Sequence, residues 1–485
     1  MAVISVSFLV FIAATFAGYF ILPMKVRPYW LLLAGLFFYS CFDLRFFPLF
    51  LLSVFGTYAA AYIIDKTKIS QGAKKATVSL AVVLNVGLLA VVKYLNYSLS
   101  LIGMLTGREI ASVSLIVPLG IAFYSMQAVS YCVDVYRGKT AAERNPFKFL
   151  LYMSYFPIIM QGPISRYDQL APQLFTPHRF SFDRMKSGML LFMFGVFKKV
   201  VIADRAAILV NQVFGDYGNY EGFEIIVAML LYTIQIYTDF SGCVDISRGV
   251  SEVLGIELVN NFDHPYFAVS IKDFWRRWHI SLSTWFKDYI YIPLGGNRKG
   301  KIRKHLNLFT VFLVSGLWHG VGIHYIVWGM IHGFYQIVGD LTAAPRAKLY
   351  KKCSVDTESF SFRFGRQITT FILVTVAWLF FRADGFIAAC RMLRSAVSCF
   401  NPWIFTDGSF LKLGLDGKDW NVLLLSIAIL FVVSLLQEKY SLRERLSHQT
   451  CWFRYAVYII ALLFIAIFGV YGPGYNVSQF IYMQF

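Results

Sequence analysis

The sequence predicts an all-α integral membrane protein that crosses the bilayer about 11 to 13 times. Hydrophobic residues make up 58% of its 485 residues and charged residues only 15%, whereas soluble chains carry about 25% charged residues. The apolar residues are also grouped in blocks of the length that crosses a bilayer as an α-helix. Together these observations exclude an ordinary soluble domain, a disordered chain and a disulfide scaffold.

Apolar blocks follow one another along the whole chain, and each is a candidate membrane passage. They lie roughly at 2–22, 29–42, 46–64, 76–92, 113–133, 147–162, 187–203, 223–240, 306–318, 323–339, 367–382, 420–436 and 453–471. Several are shorter than the roughly 20 residues of a straight span, so we expect re-entrant or tilted segments among them. The first block has no basic region before it, which favours a transmembrane helix over a cleaved signal peptide.

The distribution of charge predicts the orientation of the chain. There are 45 basic and 27 acidic residues, a net charge of +18. The basic residues cluster in loops, at 25–27, 66–75, 137–148, 298–304 and 439–454. Because loops rich in Lys and Arg stay in the cytoplasm, both termini are expected outside, including a tail at 472–485. The same rule explains the positive net charge, so no nucleic-acid partner is expected.

Sequence patterns for a metal or a hydrolase nucleophile do not occur. The seven cysteines are scattered without a C-x-x-C pair, which argues against a disulfide framework or a metal knuckle. His319 and His324 are five residues apart, and no carboxylate lies within ten residues of His319. We therefore expect no metal site, and neither a G-x-S-x-G elbow nor a Walker loop is found.

Residues 262–305 fit neither a span nor a loop. Charged residues such as Arg276 and Lys287 alternate with aromatic residues between Phe274 and Tyr291. Such a stretch is too charged to cross lipid unaided and too apolar for a solvated loop. We expect an interfacial or re-entrant amphipathic helix. It serves either as a membrane-surface anchor or as the wall of a polar cavity that receives a ligand.

His319 is a candidate functional residue because it lies in a strongly apolar helix, between Trp318 and Gly320. An ionisable side chain at membrane depth marks a functional site by default, and imidazole suits acid–base work near neutral pH. The alternative is a core histidine satisfied by a neighbour. Glycines at 316, 320 and 322 leave room for a substrate or for a closely packed helix.

Long and rare motifs occur in these same segments. They are DFWRRWHISLSTWFKDYIYIPLGGNRKG (273–300), SGLWHG (315–320), IQIYTDFSGCVDISRG (234–249) and YGPGYNVSQFIYMQF (471–485). In these motifs the chain resembles the membrane-bound O-acyltransferases, and within them the bacterial branch that acylates cell-surface polymers. The resemblance covers the chain from end to end. It implies one transmembrane domain over 1–485, a ring of helices around a tunnel, and a place in the bacterial inner membrane.

The resemblance also implies the residues that act. The invariant family histidine maps onto His319 and the second signature histidine onto His279. His319 is expected to take the proton of the acceptor hydroxyl and His279 to orient or polarise the acyl carbonyl, although spacing does not decide which carries the proton. The residues expected to line the substrate path are Trp275, Trp278, Ser281, Trp285, Asn307 and Trp318. For the tryptophans and Asn307, helix packing is the alternative.

Two carboxylates on one apolar block need a partner. Asp239, Ser241 and Asp245 lie together there, and unpaired carboxylates at membrane depth are costly. We expect them to pair with the Arg276–Arg277 dipeptide or to line the tunnel, with the ion pair as the favoured reading.

The donor is expected to dock on the basic loop 297–304, where Arg298 and Lys299 lie. Acetyl-CoA and a phosphopantetheinylated carrier both bring phosphates, which Arg and Lys bind well. The alternative is a plain positive-inside signal. The thioester is a substrate in this reading, and no bound cofactor is expected.

The last residues suggest an acyl relay. FIYMQF (480–485) is similar to the end of a short membrane peptide that works with a teichoic-acid-modifying member of the family, where a tyrosine is thought to carry the acyl group. That tyrosine corresponds to Tyr482, and a phenolic oxygen can form an acyl ester if a base is within reach. Aromatic anchoring of the tail is the alternative.

The expected function is O-acetylation of a polysaccharide or wall polymer outside the cell. The acetyl group would pass from a cytoplasmic thioester through the tunnel to a partner acetyltransferase, since no part of this chain is a large outer domain. Acylation of a lipid or a protein is the alternative within the family. A proton-coupled transporter or flippase, with His319 as its gate, is the alternative from another class.

Overall fold

The computed structural model describes residues 4–42, 44–66, 68–113, 118, 120–159 and 161–471. Over these residues the regular structure is α-helical, with short 3₁₀ and π turns and one isolated antiparallel bridge between Phe262 and Trp278. The prediction of an all-α fold is confirmed. The chain divides into two compact units, one within 1–192 and 243–259 and the other within 193–242 and 260–475.

Most of the first unit is formed by the N-terminal helices. Those with bounds inside residues 1–192 are α1 (Val6–Ile21), α2 (Arg27–Ser40), α3 (Phe47–Ile64), α4 (Gln71–Thr106), α5 (Ile121–Tyr136), α6 (Pro146–Ser154), α7 (Phe156–Ile159) and α8 (Tyr167–Phe175). A polar cluster joins α3 to α4. The Ser53 hydroxyl donates to the side-chain oxygen of Asn85 at 2.6 Å, and the amide of Asn85 donates to Thr57 at 3.1 Å. Interhelical bonds of this kind hold together helices that lipid does not drive to associate.

The rest of the chain contains the helices that carry the predicted site. They are α9 (Phe182–Val196), α10 (Asp204–Gly215), α11 (Phe223–Leu254), α12 (Ile271–Arg277), α13 (Ile280–Phe286), α14 (Gly300–His319), α15 (Ile323–Leu341), α16 (Ala343–Lys352), α17 (Phe360–Arg382), α18 (Phe386–Ser398), α19 (Gly417–Gln437), α20 (Leu442–Ser447) and α21 (Cys451–Phe468). Two π-helical turns interrupt this series, at Phe197–Ala203 and at Lys287–Tyr291.

Every predicted apolar block overlaps a described helix. Six described stretches are long and apolar enough to cross a bilayer, and they lie at Leu44–Ile64, Gln71–Thr106, Phe223–Leu254, Phe360–Arg382, Gly417–Gln437 and Cys451–Phe468. Some of the other blocks form shorter or interrupted helices, such as α6 followed by α7, and α9 followed by a π turn, whereas the blocks at 306–318 and 323–339 lie in the continuous helices α14 and α15. Multiple passages are confirmed, and the total of about 11 to 13 stays a prediction.

Helices α14 and α15 pack closely through glycine. A Cβ atom on Gly316 would collide with the carbonyl oxygen of Tyr325, and one on Gly329 with that of Phe312. Small residues allow this approach of two backbones. Two uses were expected for the glycines at 316, 320 and 322, and Gly316 shows close helix packing. The pair presents His319 at the last residue of α14.

The amphipathic segment is a broken helix. Within 262–305 the chain forms α12, then α13, then the π turn Lys287–Tyr291. Trp278 and His279 occupy the break between α12 and α13. The amphipathic helix that we expected is thus divided, and the break falls at the signature histidine.

Candidate active site

His279 has an unusual backbone and a fully buried ring. Its φ and ψ are 43° and 55°, in the left-handed region, and it is 1% exposed. Among the described residues neither of its ring nitrogens has a hydrogen-bond partner. Backbone strain at a residue other than glycine is concentrated at functional sites, and buried polar atoms normally have partners. Both observations mark this histidine as a candidate for binding a reacting group.

His319 lies in the same unit and shares a tryptophan with His279. Its ring is 4% exposed and lies 4.9 Å from the Trp318 ring, centroid to centroid. The Trp318 ring is also in contact with the His279 ring, at 6.5 Å. The structure therefore brings the two predicted histidines against one indole, although they are 40 positions apart in the sequence.

A third buried histidine, His332, was missed by the sequence reasoning. It lies on α15 with no exposed surface, and its Nδ1 accepts a hydrogen bond from the Trp275 indole N–H at 3.1 Å. Because an indole only donates, the neutral His332 ring carries its proton on Nε2. The signal was available, since His332 also lies within an apolar block.

Tryptophans join the three histidines into one cluster. The Trp328 ring lies 5.0 Å from His319 and 5.2 Å from His332. Trp378 lies 5.7 Å from Trp328 and 5.1 Å from Trp278. This histidine–tryptophan cluster consists of Trp275, Trp278, His279, Trp318, His319, Trp328, His332 and Trp378. Trp275, Trp278 and Trp318 of the four predicted tryptophans belong to it, and the Trp285 ring lies beside those of Phe286 and Tyr289.

Two other predicted residues, Ser281 and Asn307, take part in hydrogen bonds between a side chain and the backbone. The backbone N–H of Ser281 donates to the side-chain oxygen of Asn261 at 2.9 Å. The Asn307 amide donates to the carbonyls of Leu294 and Gly296, at 3.3 and 2.9 Å. These two bonds fasten the turn that precedes the basic loop, and the substrate contact of Asn307 stays a prediction.

The prediction that Asp239 pairs with the Arg276–Arg277 dipeptide was wrong. Asp239 pairs with Lys199 at 2.5 Å, and Lys199 also pairs with Asp204 at 2.7 Å. All three side chains are buried. The neighbouring Lys198 donates to the Ser241 hydroxyl at 2.9 Å. The two lysines lie on the π turn Phe197–Ala203, within the predicted apolar block 187–203. The prediction did not consider them as partners of Asp239.

The arginine dipeptide has other partners. Arg276 and Arg277 pair with Asp273 at 2.6 and 3.3 Å, and Arg277 also pairs with Glu438 at 3.3 Å. Asp245 pairs with Arg248 at 3.6 Å, one helical turn away. The expectation of ion pairs is thus correct, but the pairs that form are different.

A basic cleft of about 1170 Å³ lies in the second unit. The charged residues of its lining are Lys272, Lys287, Arg298, Lys304, Asp340, Arg346 and Arg366. Arg298 is therefore placed in the cleft, while Lys299 is outside the lining. Lys304 and His305 approach the Asp340 carboxylate at 2.7 and 2.8 Å, and their hydrogen bonds hold the pKa of Asp340 below its ordinary value.

One comparison decides the family. The profile described as "MBOAT, membrane-bound O-acyltransferase family" matches residues 4–348, more than half of the chain. The chain belongs to this family. It is therefore a multi-pass membrane protein and an acyltransferase, as the motifs predicted.

Named relatives of this acyltransferase modify polymers. It is 34% identical to "Probable alginate O-acetylase AlgI" of Pseudomonas syringae pv. tomato over 393 residues, which cover 80% of this chain and 73% of the relative. It is 32% identical to the peptidoglycan O-acetyltransferase of Helicobacter pylori over 421 residues, 80% and 78% of the two chains. The teichoic acid D-alanyltransferase of Bacillus subtilis is 28% identical over 233 residues, 44% and 56% of the two chains.

The histidine–tryptophan cluster contains side chains of the kinds that acyl transfer can use. Imidazole nitrogens can take and return a proton, and aromatic walls exclude water from a reactive ester or thioester. Within the described residues no group of three or more His, Cys, Asp or Glu side chains could hold a metal. Tyr482 lies outside the described residues, so the acyl relay stays a prediction.

Proposed function

We propose that this acyltransferase moves an acetyl group from a cytoplasmic thioester to hydroxyl groups of a polysaccharide or wall polymer outside the cell. The observation that carries the proposal is the cluster in which Trp318 contacts both His279 and His319. Relatives over most of the chain are named as O-acetylases of alginate and of peptidoglycan, which supports a polymer acceptor. The proposal places the protein in the bacterial inner membrane with both termini outside.

In this proposal His319 is the general base. It removes the proton of the acceptor hydroxyl as the oxygen attacks the acyl carbon, and the thiol leaves with a proton. His279 orients the acyl carbonyl or donates to the oxyanion, for which a nearby N–H is needed. If the acceptor is a partner acetyltransferase or Tyr482, the same step forms an acyl-protein ester that a second transfer empties.

The basic cleft is the proposed donor site. Acetyl-CoA and a phosphopantetheinylated carrier both present phosphates to it, and its lining has six basic side chains and one carboxylate. Arginine binds phosphate in a bidentate manner, which suits Arg298 to this role.

The test is the acetate content of surface polymer in cells that carry His319→Ala. We expect acetate to fall by about 100-fold or more, the usual contribution of a general base, at equal membrane abundance. His448→Ala is the matched control, because His448 is exposed and lies on a distant turn. Unchanged acetate in the His319 variant, with the polymer still acetylated, would remove His319 from the mechanism.

A second cavity supports an alternative in which the donor carries a longer acyl chain than acetyl. It has a volume of about 230 Å³ and a lining that is mostly aromatic and aliphatic, including Tyr237, Tyr266 and Phe431. The Tyr237 and Tyr266 rings lie 6.3 and 6.2 Å from that of Trp278 in the cluster. Competition between acetyl-, octanoyl- and palmitoyl-CoA for the purified protein separates the two readings. Preference for the long chains would favour a lipid or protein acceptor, and transport without a covalent label would favour the transporter.

A further inference from the structure

The left-handed backbone of His279 is held by an earlier segment of the chain. Residues 261–263 run antiparallel to residues 277–280, with the bridge between Phe262 and Trp278 at the centre. The N–H of Asp263 donates to the Arg277 carbonyl at 2.9 Å. On the other side of the bridge, the N–H of Ile280 donates to the Asn261 carbonyl at 3.1 Å.

Asn261 adds a side-chain bond one residue further on. Its side-chain oxygen accepts the N–H of Ser281 at 2.9 Å, so Asn261 binds both backbone amides that follow His279. The side chain has no exposed surface. Because a backbone N–H needs an oxygen opposite it, this bond also fixes which end of the amide faces Ser281.

Because the side-chain oxygen of Asn261 faces Ser281, its side-chain nitrogen points to another part of the interior. Among the described residues the Asn261 amide nitrogen has no hydrogen-bond partner, and the same is true of both His279 ring nitrogens. Buried polar atoms are otherwise nearly always satisfied. The side-chain oxygen of Asn261 thus holds the backbone, while its side-chain nitrogen is a buried donor. Both lie close in the chain to His279, whose φ of 43° is rare outside glycine.

We propose that Asn261 is a positioning residue for His279. It binds the amides of Ile280 and Ser281 and so keeps the turn at His279 in its left-handed form, which aims the ring at the reacting group. Without these bonds a residue with a β-carbon relaxes to the commoner backbone region, and the ring moves away. The inference rests on the role of His279 in the proposed function.

The experiment compares three variants of the full-length protein. Asn261→Leu removes the side-chain acceptor at similar size, and Asn261→Asp retains it. Asn421→Leu is the matched control, because Asn421 is the same residue type at an exposed position of α19. One measurement is the rate at which diethyl pyrocarbonate modifies His279, followed by peptide mass spectrometry. The other is transfer of radiolabelled acetyl groups from acetyl-CoA to surface polymer in membranes that contain each variant, with and without His279→Gln.

We expect Asn261→Leu to raise the modification rate of His279 and to lower transfer by about 10- to 100-fold, since small displacements of a catalytic group have effects of that size. Asn261→Asp should recover most of the transfer. In the His279→Gln background, Asn261→Leu should have no further effect, because a residue that acts through His279 is not additive with its loss.

Three outcomes separate this inference from the proposed function. Unchanged modification of His279 in Asn261→Leu would overturn the positioning role, whatever happens to transfer. An equal loss of transfer with and without His279→Gln would overturn it as well. A changed modification rate in a protein whose wild type transfers no acetyl group would support the positioning of His279 and reject the acetyltransferase. If Asn261→Leu does not accumulate in the membrane, Asn261→Ala removes the same side-chain acceptor and supplies the comparison.

Discussion

At the scale of single residues, the buried ions are the most demanding feature. Lys199 lies between Asp204 and Asp239, with all three side chains at least nine-tenths buried. Burying a charge away from water is costly, and a paired ion becomes strongly destabilising once its partner is lost. We therefore expect the protein to lose less stability when all three charges are removed than when only one is removed.

Lys199→Met is therefore expected to destabilise the protein by about 3–5 kcal/mol, because two carboxylates stay buried without their cation. The measurement is the fraction of monodisperse protein left after heating in detergent. The triple variant Lys199→Met, Asp204→Asn, Asp239→Asn should recover most of the stability. A triple variant as unstable as the single one would show that the charges themselves, and not their balance, are required.

His332 supplies the second prediction at this scale. Its Nδ1 accepts the Trp275 indole N–H at 3.1 Å, so Trp275→Phe leaves a buried acceptor unsatisfied, at a cost of about 1–3 kcal/mol. We expect a lower stability in detergent for Trp275→Phe. Trp403→Phe makes the same substitution at an exposed position, and an equal loss there would contradict the role of the hydrogen bond.

At the scale of elements, the α14–α15 pair holds His319 in place. Gly316→Leu forces the side chain into the carbonyl of Tyr325, and overpacking typically costs about 1–3 kcal/mol. We expect lower membrane abundance and a larger loss of polymer acetate than abundance alone explains. Gly87→Leu is the control, since a Cβ atom there meets nothing within 4 Å and Gly87 is not in the lining of the basic cleft. Equal acetate per folded protein in both variants would refute the coupling to His319.

The basic cleft provides the second prediction at the element scale. Arg298 lines it and Lys299 does not, so Arg298→Ala should raise the KM for the thioester by about 10-fold or more, as expected for a lost charge-assisted bond. Lys299→Ala removes the same charge from the same loop and should change the KM much less. Equal effects would favour the positive-inside signal over a donor site.

The positions of the apolar helices could be predicted from the sequence, whereas the break between α12 and α13 could not. Hydropathy placed the apolar blocks on helices because each block must satisfy its backbone bonds within itself. The turn at His279 could not be predicted, since it depends on hydrogen bonds from residues 261–263 that lie far back along the chain. The partner of Asp239 was missed for the same reason: Lys199 reaches it only through the folded arrangement of the second unit.

At the scale of the whole molecule, the charge pattern predicts a single orientation. In a cysteine-free background, Glu109→Cys should react with a membrane-impermeant maleimide in intact cells, because residue 109 follows a span that starts at a basic loop. A variant retaining only Cys451, which is exposed and lies within the basic segment 439–454, should react only after permeabilisation. Labelling of Cys451 but not of residue 109 in intact cells would show the opposite orientation, with the basic cleft on the outer side.

The lysines of the π turn Phe197–Ala203 also bear on biogenesis. Lys198 and Lys199 lie near the end of the apolar block 187–203, and a Lys costs roughly 2.5–3.5 kcal/mol to insert at the centre of a span. Asp204, five residues further on, pairs with Lys199 from the same segment. Asp239 is synthesised 40 residues after Lys199, about 2–8 s later at common translation rates. The group of three ions is therefore complete only after this part of α11 has been synthesised.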